Sequence, residues 1–309
     1  MPESLRIIFM GTPEFAVPSL QVLVENGCEV VAVITAPDRP AGRGQRLNES
    51  PVKQYAVTQN IPVLQPEKLK NPEFLETLRS FHADLQVVVA FRMLPELVWN
   101  MPGLGTFNLH ASLLPDYRGA APINWAIMNG ESETGLTTFF IEKEIDTGKI
   151  IFQEKEPITP DDTAGSLYER LMEKGSQLVL RTVRAIAAGN YPQIPQPPMN
   201  KGKEAPKLFR ENCEIDWNRP AESIRDFVRG LSPYPAAWTT LNGLNCKLFE
   251  VSVVEHELPD TATEPGTYRT DQKTFLHFLA TDAWVSVQEL QLEGKRRMKI
   301  DELLRGYKF

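Results

Sequence analysis

The sequence predicts an α/β protein in which an open, mostly parallel sheet with helices on both faces is followed by a small C-terminal β-barrel. Two observations indicate this order. In the first two thirds of the chain, short apolar runs bounded by glycine alternate with segments of helical periodicity, as in buried parallel strands joined by helices. Near the C-terminus, short strand-like segments follow one another with turn signals between them.

The length of 309 residues is compatible with about two domains. We expect one domain at residues 1–188 and another at residues 207–309. The stretch between them, residues 189–206, is rich in proline, which predicts a stiff tether rather than packed structure. The change of pattern on either side of this stretch supports a boundary there.

The overall composition argues against several classes of protein. A net charge of −7 argues weakly against a generic nucleic-acid binder, so a polyanionic partner would have to meet local basic clusters. No apolar run approaches the roughly 18 to 20 residues of a membrane span, and the first residues lack the pattern of a signal peptide, so a cytoplasmic protein is expected. The scattered cysteines indicate neither a disulfide framework nor a zinc site.

A β-α-β unit opens the chain. Leu5 to Met10 is an apolar run closed by Gly11, which predicts a buried strand. Thr12 and Pro13 predict the cap and first turn of a helix, and residues 29–35 predict the next strand. The turn after the first strand lacks the three-glycine spacing of a dinucleotide-binding site, so no such cofactor is predicted.

The segment at residues 36–51 is longer than the roughly two to six residues usual in such a connection. It carries Arg39, Arg43 and Arg46, with a glycine on either side of Arg43. Because guanidinium groups are rigid forks that suit phosphate, one interpretation is a basic loop that becomes ordered on an RNA partner. The other is a plain surface insertion.

Residues 52–59, 63–64 and 72–81 predict a helix, a short strand and a second helix, and residues 84–90 form the most β-like run of the chain. This strand is followed by large side chains, those of Phe91, Arg92, Met93 and Leu94. They could line the pocket of a flat aromatic ligand, or they could simply pack. A short helix is expected at residues 95–99.

Residues 107–125 are the stretch around which the chain is organised. Phe107 to His110 alternates apolar and polar residues, so a strand there places Asn108 and His110 on one face. An amide donor beside a titratable imidazole suits a developing oxyanion and a proton transfer, although a lone histidine on a strand is often only a packed residue. A loop and then a helix at 123–128 follow, the arrangement in which open α/β sheets hold ligands.

Further along, a strand is expected at residues 135–142, then a turn that contains Asp146, and β structure resumes at residues 150–152. Asp146 could cap nearby amides within its turn. Alternatively, it could order a water molecule and keep His110 protonated. A long helix with apolar residues at helical spacing is predicted at residues 164–187.

The C-terminal part begins with a predicted helix at residues 221–230. Short strands follow, which indicates a small barrel, a shape shared with oligonucleotide-binding domains. The predicted strands are 237–241, 247–254, 266–269, 274–280 and 283–292. Basic clusters at residues 201–210 and 295–299 are either solvated surface or contacts for a polyanion.

Taken together, the motifs resemble the folate-dependent formyltransferase family, and the resemblance covers nearly the whole chain. The loop at residues 37–44 and the C-terminal tail narrow the match to members that act on tRNA. The segments that carry the resemblance are Gly-Thr-Pro-Glu-Phe-Ala (11–16), Pro-Asp-Arg-Pro-Ala-Gly-Arg-Gly (37–44), Ser-Pro-Val-Lys (50–53), Asn-Leu-His-Ala-Ser-Leu-Leu-Pro (108–115), Arg-Gly-Ala-Ala-Pro-Ile (118–123), Asp-Thr-Gly (146–148) and Ile-Asp-Trp (215–217).

The resemblance implies roles for individual residues. Asn108, His110 and Asp146 match the catalytic trio of the family, and residues 91–94 would adjoin the pterin. The segment that contacts tetrahydrofolate corresponds to Ser112, Leu113, Leu114 and Pro115. The loop that enters the acceptor end of the tRNA corresponds to Arg43 and its neighbours Arg39 and Arg46. The C-terminal barrel would bind the same tRNA.

The activity implied by the resemblance is transfer of the formyl group of 10-formyltetrahydrofolate to the α-amino group of methionyl-initiator tRNA, in support of translation initiation. A cytoplasmic monomer that needs no metal is expected. Three alternatives stay open: formylation of another amine such as a nucleotide sugar, hydrolysis of 10-formyltetrahydrofolate, and RNA binding without catalysis. The first would not need the arginine loop, and the last would not need Asn108, His110 and Asp146.

Overall fold

The computed structural model describes residues 5–41, 46–254 and 264–308. In this part of the chain the α-helices are α1 (Val17–Glu25), α2 (Pro51–Thr58), α3 (Pro72–Ser80), α4 (Glu96–Trp99), α5 (Pro122–Met128), α6 (Ala164–Ala187), α7 (Ala221–Leu231) and α8 (Ile300–Gly306). Short 3-10 helices lie at Glu14–Ala16 and Arg210–Cys213.

The strands of the N-terminal part are β1 (Arg6–Gly11), β2 (Glu29–Ile34), β3 (Arg39–Ala41), β4 (Arg46–Asn48), β5 (Val63–Leu64), β6 (Leu85–Val89), β7 (Thr106–His110), β8 (Glu133–Phe140) and β9 (Ile150–Pro157). Those of the C-terminal part are β10 (Ala237–Leu241), β11 (Leu244–Val253), β12 (Tyr268–Thr270), β13 (Leu276–Leu279), β14 (Trp284–Leu292) and β15 (Met298–Lys299).

A seven-stranded sheet with the order β5-β2-β1-β6-β7-β8-β9 forms the N-terminal part. The pairs from β5 to β7 are parallel, and β7 pairs with β8 in antiparallel register, which confirms the predicted open and mostly parallel sheet. The chain leaves β1 toward β2 and β5, and then returns to β6 on the other side. In open α/β sheets, such a reversal of direction is the place where ligands bind, at the carboxyl ends of the strands.

The first helix differs from the prediction. Thr12 was expected to cap it, but the chain first makes the 3-10 turn at Glu14–Ala16, and α1 begins at Val17 without a side-chain cap. Tertiary contacts explain the difference, because the buried Phe15 packs edge-on against Tyr168 and its backbone N–H donates to the tyrosine hydroxyl at 2.9 Å.

The long segment at residues 36–51 is also more regular than predicted. Strands β3 and β4 pair in antiparallel register, with Arg39 opposite Asn48. At the base of this hairpin, Lys53 forms ion pairs with Asp38 and, at 2.9 Å, with Glu49. These contacts bring Asp38 and Glu49, which lie near the two ends of the segment, to the same lysine.

Helix α6 has the predicted bounds and 24 residues. Its start is a reciprocal cap in which Ser166 N–H donates to the Thr163 hydroxyl at 3.2 Å and Thr163 N–H donates to the Ser166 hydroxyl at 3.1 Å. Leu167, Leu171 and Leu178 are fully buried on its apolar side. In the described residues, no helix combines the length and the apolar character needed to cross a membrane.

The C-terminal sheet is antiparallel and has the order β10-β11-β14-β13-β12, with β15 paired to β14. It confirms the predicted small all-β domain. The sequence predicted five strands, and β15 was missed because two residues are too short for a pattern. The sheet packs around a core in which Trp217 stacks on Phe278 at 4.6 Å and donates its indole N–H to Thr239 at 3.0 Å.

Two compact units divide the chain: residues 1–118, 135–156 and 168–201 form one, and residues 119–134, 157–167 and 202–309 form the other. The predicted domain limits at 188 and 207 stay a prediction. The proline-rich segment between them is not an unpacked tether, however. Its Ile194 exchanges two backbone hydrogen bonds with Ile150, of 2.8 and 2.9 Å.

A buried carboxylate on β9 links the sheet to α6. The Glu156 side chain is 5% exposed and accepts hydrogen bonds from Lys174 and, at 2.9 Å, from Arg170. Burial by itself would raise the pKa of Glu156, but the hydrogen bonds and charges of Lys174 and Arg170 outweigh burial and hold the pKa below its usual range. The ionised form is therefore the one that stabilises the fold.

Replacing Glu156 by glutamine should lower the free energy of unfolding at neutral pH by about 1 to 3 kcal/mol, because two cations lose their buried partner. Since the pKa is lower in the folded state, the stabilisation is present above the unfolded-state pKa of about 4.3 and is lost as the pH falls through the folded-state value. Denaturant titrations of both proteins at neutral pH and at acidic pH measure this difference.

Glu154→Gln is the matched control. This carboxylate lies on the same strand, is 38% exposed and faces Arg181 at 3.6 Å, so its loss should cost less than about 1 kcal/mol. Equal losses for the two variants, or a Glu156→Gln effect that does not shrink in acid, would contradict the assignment.

Candidate active site

Strand β7 presents two polar side chains from one face. Phe107 and Leu109 are buried, while Asn108 and His110 alternate with them and so project to the opposite side. His110 is 6% exposed, and Asn108 is half-buried. Among the described residues, no group hydrogen-bonds to the side-chain amide of Asn108. The strand therefore presents an amide and an imidazole on one face, as predicted.

The imidazole of His110 is held between two loops. Its Nε2 lies 2.8 Å from the backbone oxygen of Tyr117, and its Nδ1 lies 3.9 Å from Oδ2 of Asp146. A carbonyl oxygen can only accept a hydrogen bond, so Nε2 must carry a hydrogen and donate it. Nδ1 is consequently the atom that gains or loses a proton, and it faces the carboxylate.

The backbone around the site adopts unusual conformations. Ala90, Tyr117 and Asp146 all have positive φ angles, of 48°, 60° and 54°. Residues other than glycine rarely adopt this left-handed backbone conformation, and each one raises the conformational free energy of the folded state by on the order of 1 to 3 kcal/mol. Ala90 follows β6, Tyr117 supplies the oxygen that binds His110, and Asp146 supplies the carboxylate. Two of these three strained residues, Tyr117 and Asp146, therefore lie directly beside His110.

The turn that carries Asp146 is held against β8 by a close backbone contact. A Cβ atom on Gly148 would lie 1.7 Å from the backbone oxygen of Phe140, so only glycine fits. Thr147 closes the turn through a hydrogen bond of 3.0 Å from its hydroxyl to the oxygen of Glu144. These two contacts explain why a small Asp-Thr-Gly sequence occurs here.

Residues 112–115, the predicted folate-contacting segment, are held rigidly. The Ser112 hydroxyl donates to the oxygen of Asp116 at 2.6 Å, and Thr137 on β8 donates to the oxygen of Ser112 at 2.7 Å. Thr137 also accepts from Leu114 N–H, and Gln153 donates to the oxygen of Leu114. Leu114 is buried, whereas Leu113 and Pro115 are partly exposed.

The predicted pterin-adjoining segment has both core and surface residues. Leu94 is buried in the core beside α3, and Phe91 packs partly against the same core. Met93 is 73% exposed. Arg92 donates to the backbone oxygens of residues 66 and 67, and partial burial, with the charge of Arg39 as a second cause, lowers its pKa.

Two of the three predicted tRNA-contacting arginines, Arg39 and Arg46, lie in the paired strands β3 and β4. Arg39 is exposed in β3, and its charge is the second cause of the lowered pKa of Arg92. Arg46 belongs to β4, and Arg43 lies outside the described residues. The structure thus places Asn108 and His110 on one face of β7 and Asp146 beside His110.

Several residues of the site were missed in the sequence. Tyr117 acts through its backbone oxygen, and Thr137 reaches the site from the neighbouring strand. Gln196, in the proline-rich segment, donates to the backbone oxygens of Asp146 and Gly148 at 2.9 and 2.8 Å. No sequence pattern marks these contacts, because they join segments that are distant along the chain. Among the described residues, no group of three His, Cys, Asp or Glu side chains could hold a metal ion.

Family models match both parts of the chain. The model for formyl transferase matches residues 5–183, and the model for the formyl transferase C-terminal domain matches residues 207–308. Asn108, His110 and Asp146 all lie within the first match. Residues 184–206, which include Gln196, lie between the two.

Solved structures of low sequence identity share the fold. WlaRD, a sugar 3N-formyl transferase solved in the presence of dTDP and 5-N-formyl-THF, has a TM-score of 0.68 and 19% identity over 95% of this chain and 100% of its own. An N-formyltransferase from Helicobacter canadensis, solved with folinic acid and dTDP-3-aminofucose, has a TM-score of 0.63 and 21% identity over 92% and 98%. Similarity at this level of identity supports the fold alone.

Proteins with much higher sequence identity to this chain are methionyl-tRNA formyltransferases. The methionyl-tRNA formyltransferase of Bacteroides fragilis is 56% identical over 310 residues, which cover 99% of this chain and 96% of that protein. The methionyl-tRNA formyltransferase of Flavobacterium johnsoniae is 50% identical over 309 residues, or 99% and 98% of the two proteins. With the matched models and the geometry of the site, this similarity shows that the chain belongs to the methionyl-tRNA formyltransferase family.

Proposed function

We propose that Asn108, His110 and Asp146 carry out the formyl transfer of this enzyme. As a member of its family, the chain transfers the formyl group of 10-formyltetrahydrofolate to the α-amino group of methionyl-initiator tRNA, a step in translation initiation. The observation that carries the residue assignment is the placement of His110, with Nε2 bound to the Tyr117 oxygen and Nδ1 facing Asp146.

The reaction needs stabilisation of one developing charge. The amine nitrogen attacks the formyl carbon, and an electron pair moves onto the formyl oxygen. Asn108 and the protonated Nδ1 of His110 project from the same face of β7, where they donate hydrogen bonds to this oxyanion. Each donor of this kind is typically worth about 3 to 4 kcal/mol in the transition state.

The reaction also requires the net transfer of one proton from the amine to the folate nitrogen. As the tetrahedral intermediate collapses, the bond from the formyl carbon to the folate nitrogen breaks, the amine loses a proton and the folate nitrogen gains one. Oδ2 of Asp146 lies 3.9 Å from His110 Nδ1, beyond hydrogen-bonding distance, so Nδ1–H remains available to the oxyanion. Asp146 would instead act on the amine proton through a water molecule.

The formyl donor would lie between the segments at 91–94 and 112–115. Both follow strands at the carboxyl edge of the sheet, beside the point at which strand order reverses. Phe91, Met93 and Leu113 offer apolar surface for a flat ring. The folate compounds named for two structural neighbours support this placement.

The tRNA would contact the hairpin and the C-terminal domain. Arg39, Arg43 and Arg46 supply guanidinium forks that suit phosphate and enter at the acceptor end. The domain at residues 207–309 would bind the rest of the tRNA, while the domain at 1–188 performs catalysis and residues 189–206 link them. We also infer that the protein works as a monomer in the cytoplasm, where the charged tRNA is present.

Substitution of the trio should reduce the turnover number far more than the Michaelis constants. Asn108→Ala should lower kcat by about 100- to 1,000-fold, because it removes one oxyanion donor. His110→Ala and Asp146→Asn should each lower kcat by about 100- to 10,000-fold, because proton transfer also suffers. Steady-state kinetics with methionyl-initiator tRNA and 10-formyltetrahydrofolate measures these effects.

Asn100→Ala is a matched control, since this exposed asparagine ends α4 and is not assigned to the site. It should keep the activity of the unmodified enzyme. Unchanged turnover in both His110→Ala and Asp146→Asn would refute the assignment.

The arginine-bearing segment should contribute to the binding of tRNA and not to the binding of folate. Arg43→Ala is expected to weaken binding of methionyl-initiator tRNA, with a shallower dependence on salt, because it removes one phosphate contact. The affinity for 10-formyltetrahydrofolate, measured by calorimetry, should be preserved. A loss of folate affinity in this variant would rule out the assigned role of the hairpin.

The acceptor itself is tested by comparing three amines in one formylation assay. Methionyl-initiator tRNA should be the preferred substrate over methionyl-elongator tRNA and free methionine. Deletion of residues 38–46 should abolish activity on the tRNA and leave any activity on a small amine intact. Efficient use of a free small amine by the complete enzyme would instead favour a different acceptor.

A further inference from the structure

Gln196 joins two loops that hold His110. Its Nε2 donates to the backbone oxygens of Asp146 and Gly148, at 2.9 and 2.8 Å. Its Oε1 accepts from Nη2 and Nε of Arg118, at 2.6 and 3.2 Å. Arg118 directly follows Tyr117, whose backbone oxygen binds His110. The amide therefore connects the loop on the Nε2 side of the imidazole with the turn on its Nδ1 side.

The chemistry of the partners determines the orientation of this amide. Carbonyl oxygens only accept and a guanidinium only donates, so the NH2 group must face the 146–148 turn and the oxygen must face Arg118. All hydrogen-bonding groups of the side chain are then used, and the bonds from Arg118 are strengthened by its charge. The half-buried Gln196 is thus a saturated bridge and not a flexible surface residue.

The segment around Gln196 is itself held in place. On one side, Ile194 exchanges two backbone hydrogen bonds with Ile150. On the other side, Asn200 binds the Asp116 carboxylate through its backbone N–H at 3.1 Å and its side-chain amide at 2.8 Å. These anchors define a strap, residues 194–200, that runs from the start of β9 past the Asp146 turn to the loop after β7. The strap lies outside both matched family models.

A bridge of this kind matters because Asp146 is strained. Its φ of 54° is unfavourable for a residue with a side chain, and such conformations persist only where surrounding contacts hold them. Gln196 binds the backbone oxygen of Asp146 itself. Without this bond the turn can relax, and the carboxylate would then leave the position that it takes 3.9 Å from His110 Nδ1.

We propose that Gln196 is a positioning residue for formyl transfer, and that by tying the 146–148 turn to Arg118 it sets the placement of the Asp146 carboxylate relative to His110. This inference rests on the catalytic roles proposed above for His110 and Asp146. Gln196 touches neither substrate in this scheme. Its effect reaches the reaction only through the backbone of the turn.

The test uses the full-length enzyme and two replacements of Gln196. Gln196→Met keeps nearly the same volume and removes every hydrogen bond, while Gln196→Glu keeps the acceptor for Arg118 and places an oxygen against two carbonyls. Both should lower kcat about 10- to 100-fold, the usual effect of a small misplacement of a catalytic group, with Michaelis constants for tRNA and folate nearly unchanged. Gln193→Ala, an exposed glutamine of the same segment, is the control and should retain full activity.

A double-mutant cycle separates positioning from general stability. In an Asp146→Asn background, Gln196→Met should have little further effect on single-turnover rates, because the group it positions has already lost its charge. Melting temperatures should show that all variants are folded. An unchanged kcat in both Gln196 variants would overturn the inference, as would an equal loss with and without Asp146→Asn or an effect confined to KM.

The same set of variants distinguishes this inference from the proposed function. If His110→Ala and Asp146→Asn are inactive while Gln196→Met is fully active, only the positioning role fails. If His110→Ala and Asp146→Asn keep normal turnover, the catalytic assignment fails and the inference fails with it.

Discussion

The hydrogen bond from His110 Nε2 to the backbone oxygen of Tyr117 is the contact on which the proposed mechanism depends. It leaves only Nδ1 to exchange a proton, and it points that atom toward Asp146 at 3.9 Å. An imidazole free to rotate could present either nitrogen, and half of its orientations would be unproductive. A backbone oxygen is a durable partner, because no side-chain substitution at Tyr117 removes it.

Keeping that oxygen in place requires backbone conformations that side chains normally avoid. Tyr117 and Asp146 both lie in the left-handed region, so the loops that carry them would relax if left alone. Contacts from other segments prevent this: Thr137 binds the start of the first loop, and Gly148 packs on the oxygen of Phe140 in the second.

The fold explains why these loops meet at all. Strands β6 and β7 are parallel neighbours, so the loops that follow them emerge at the same edge of the sheet, and strand order reverses next to them. Strand β8 runs antiparallel to β7 and brings Thr137 opposite His110. The loops that follow β6 and β7 are thus neighbours at this edge, and Thr137 fixes the second of them through the oxygen of Ser112.

The sequence by itself determined the order of strands and helices, the shared face of Asn108 and His110, and the family, because these follow from local periodicity and from contiguous motifs. It did not determine the start of α1, the β3–β4 pairing or the packing of the proline-rich segment, since each depends on contacts between distant residues. Only the tertiary structure decided the tautomer of His110 and the bridge made by Gln196. The bonds concerned involve backbone oxygens, and every residue has one, so no amino-acid pattern can mark which of them is used.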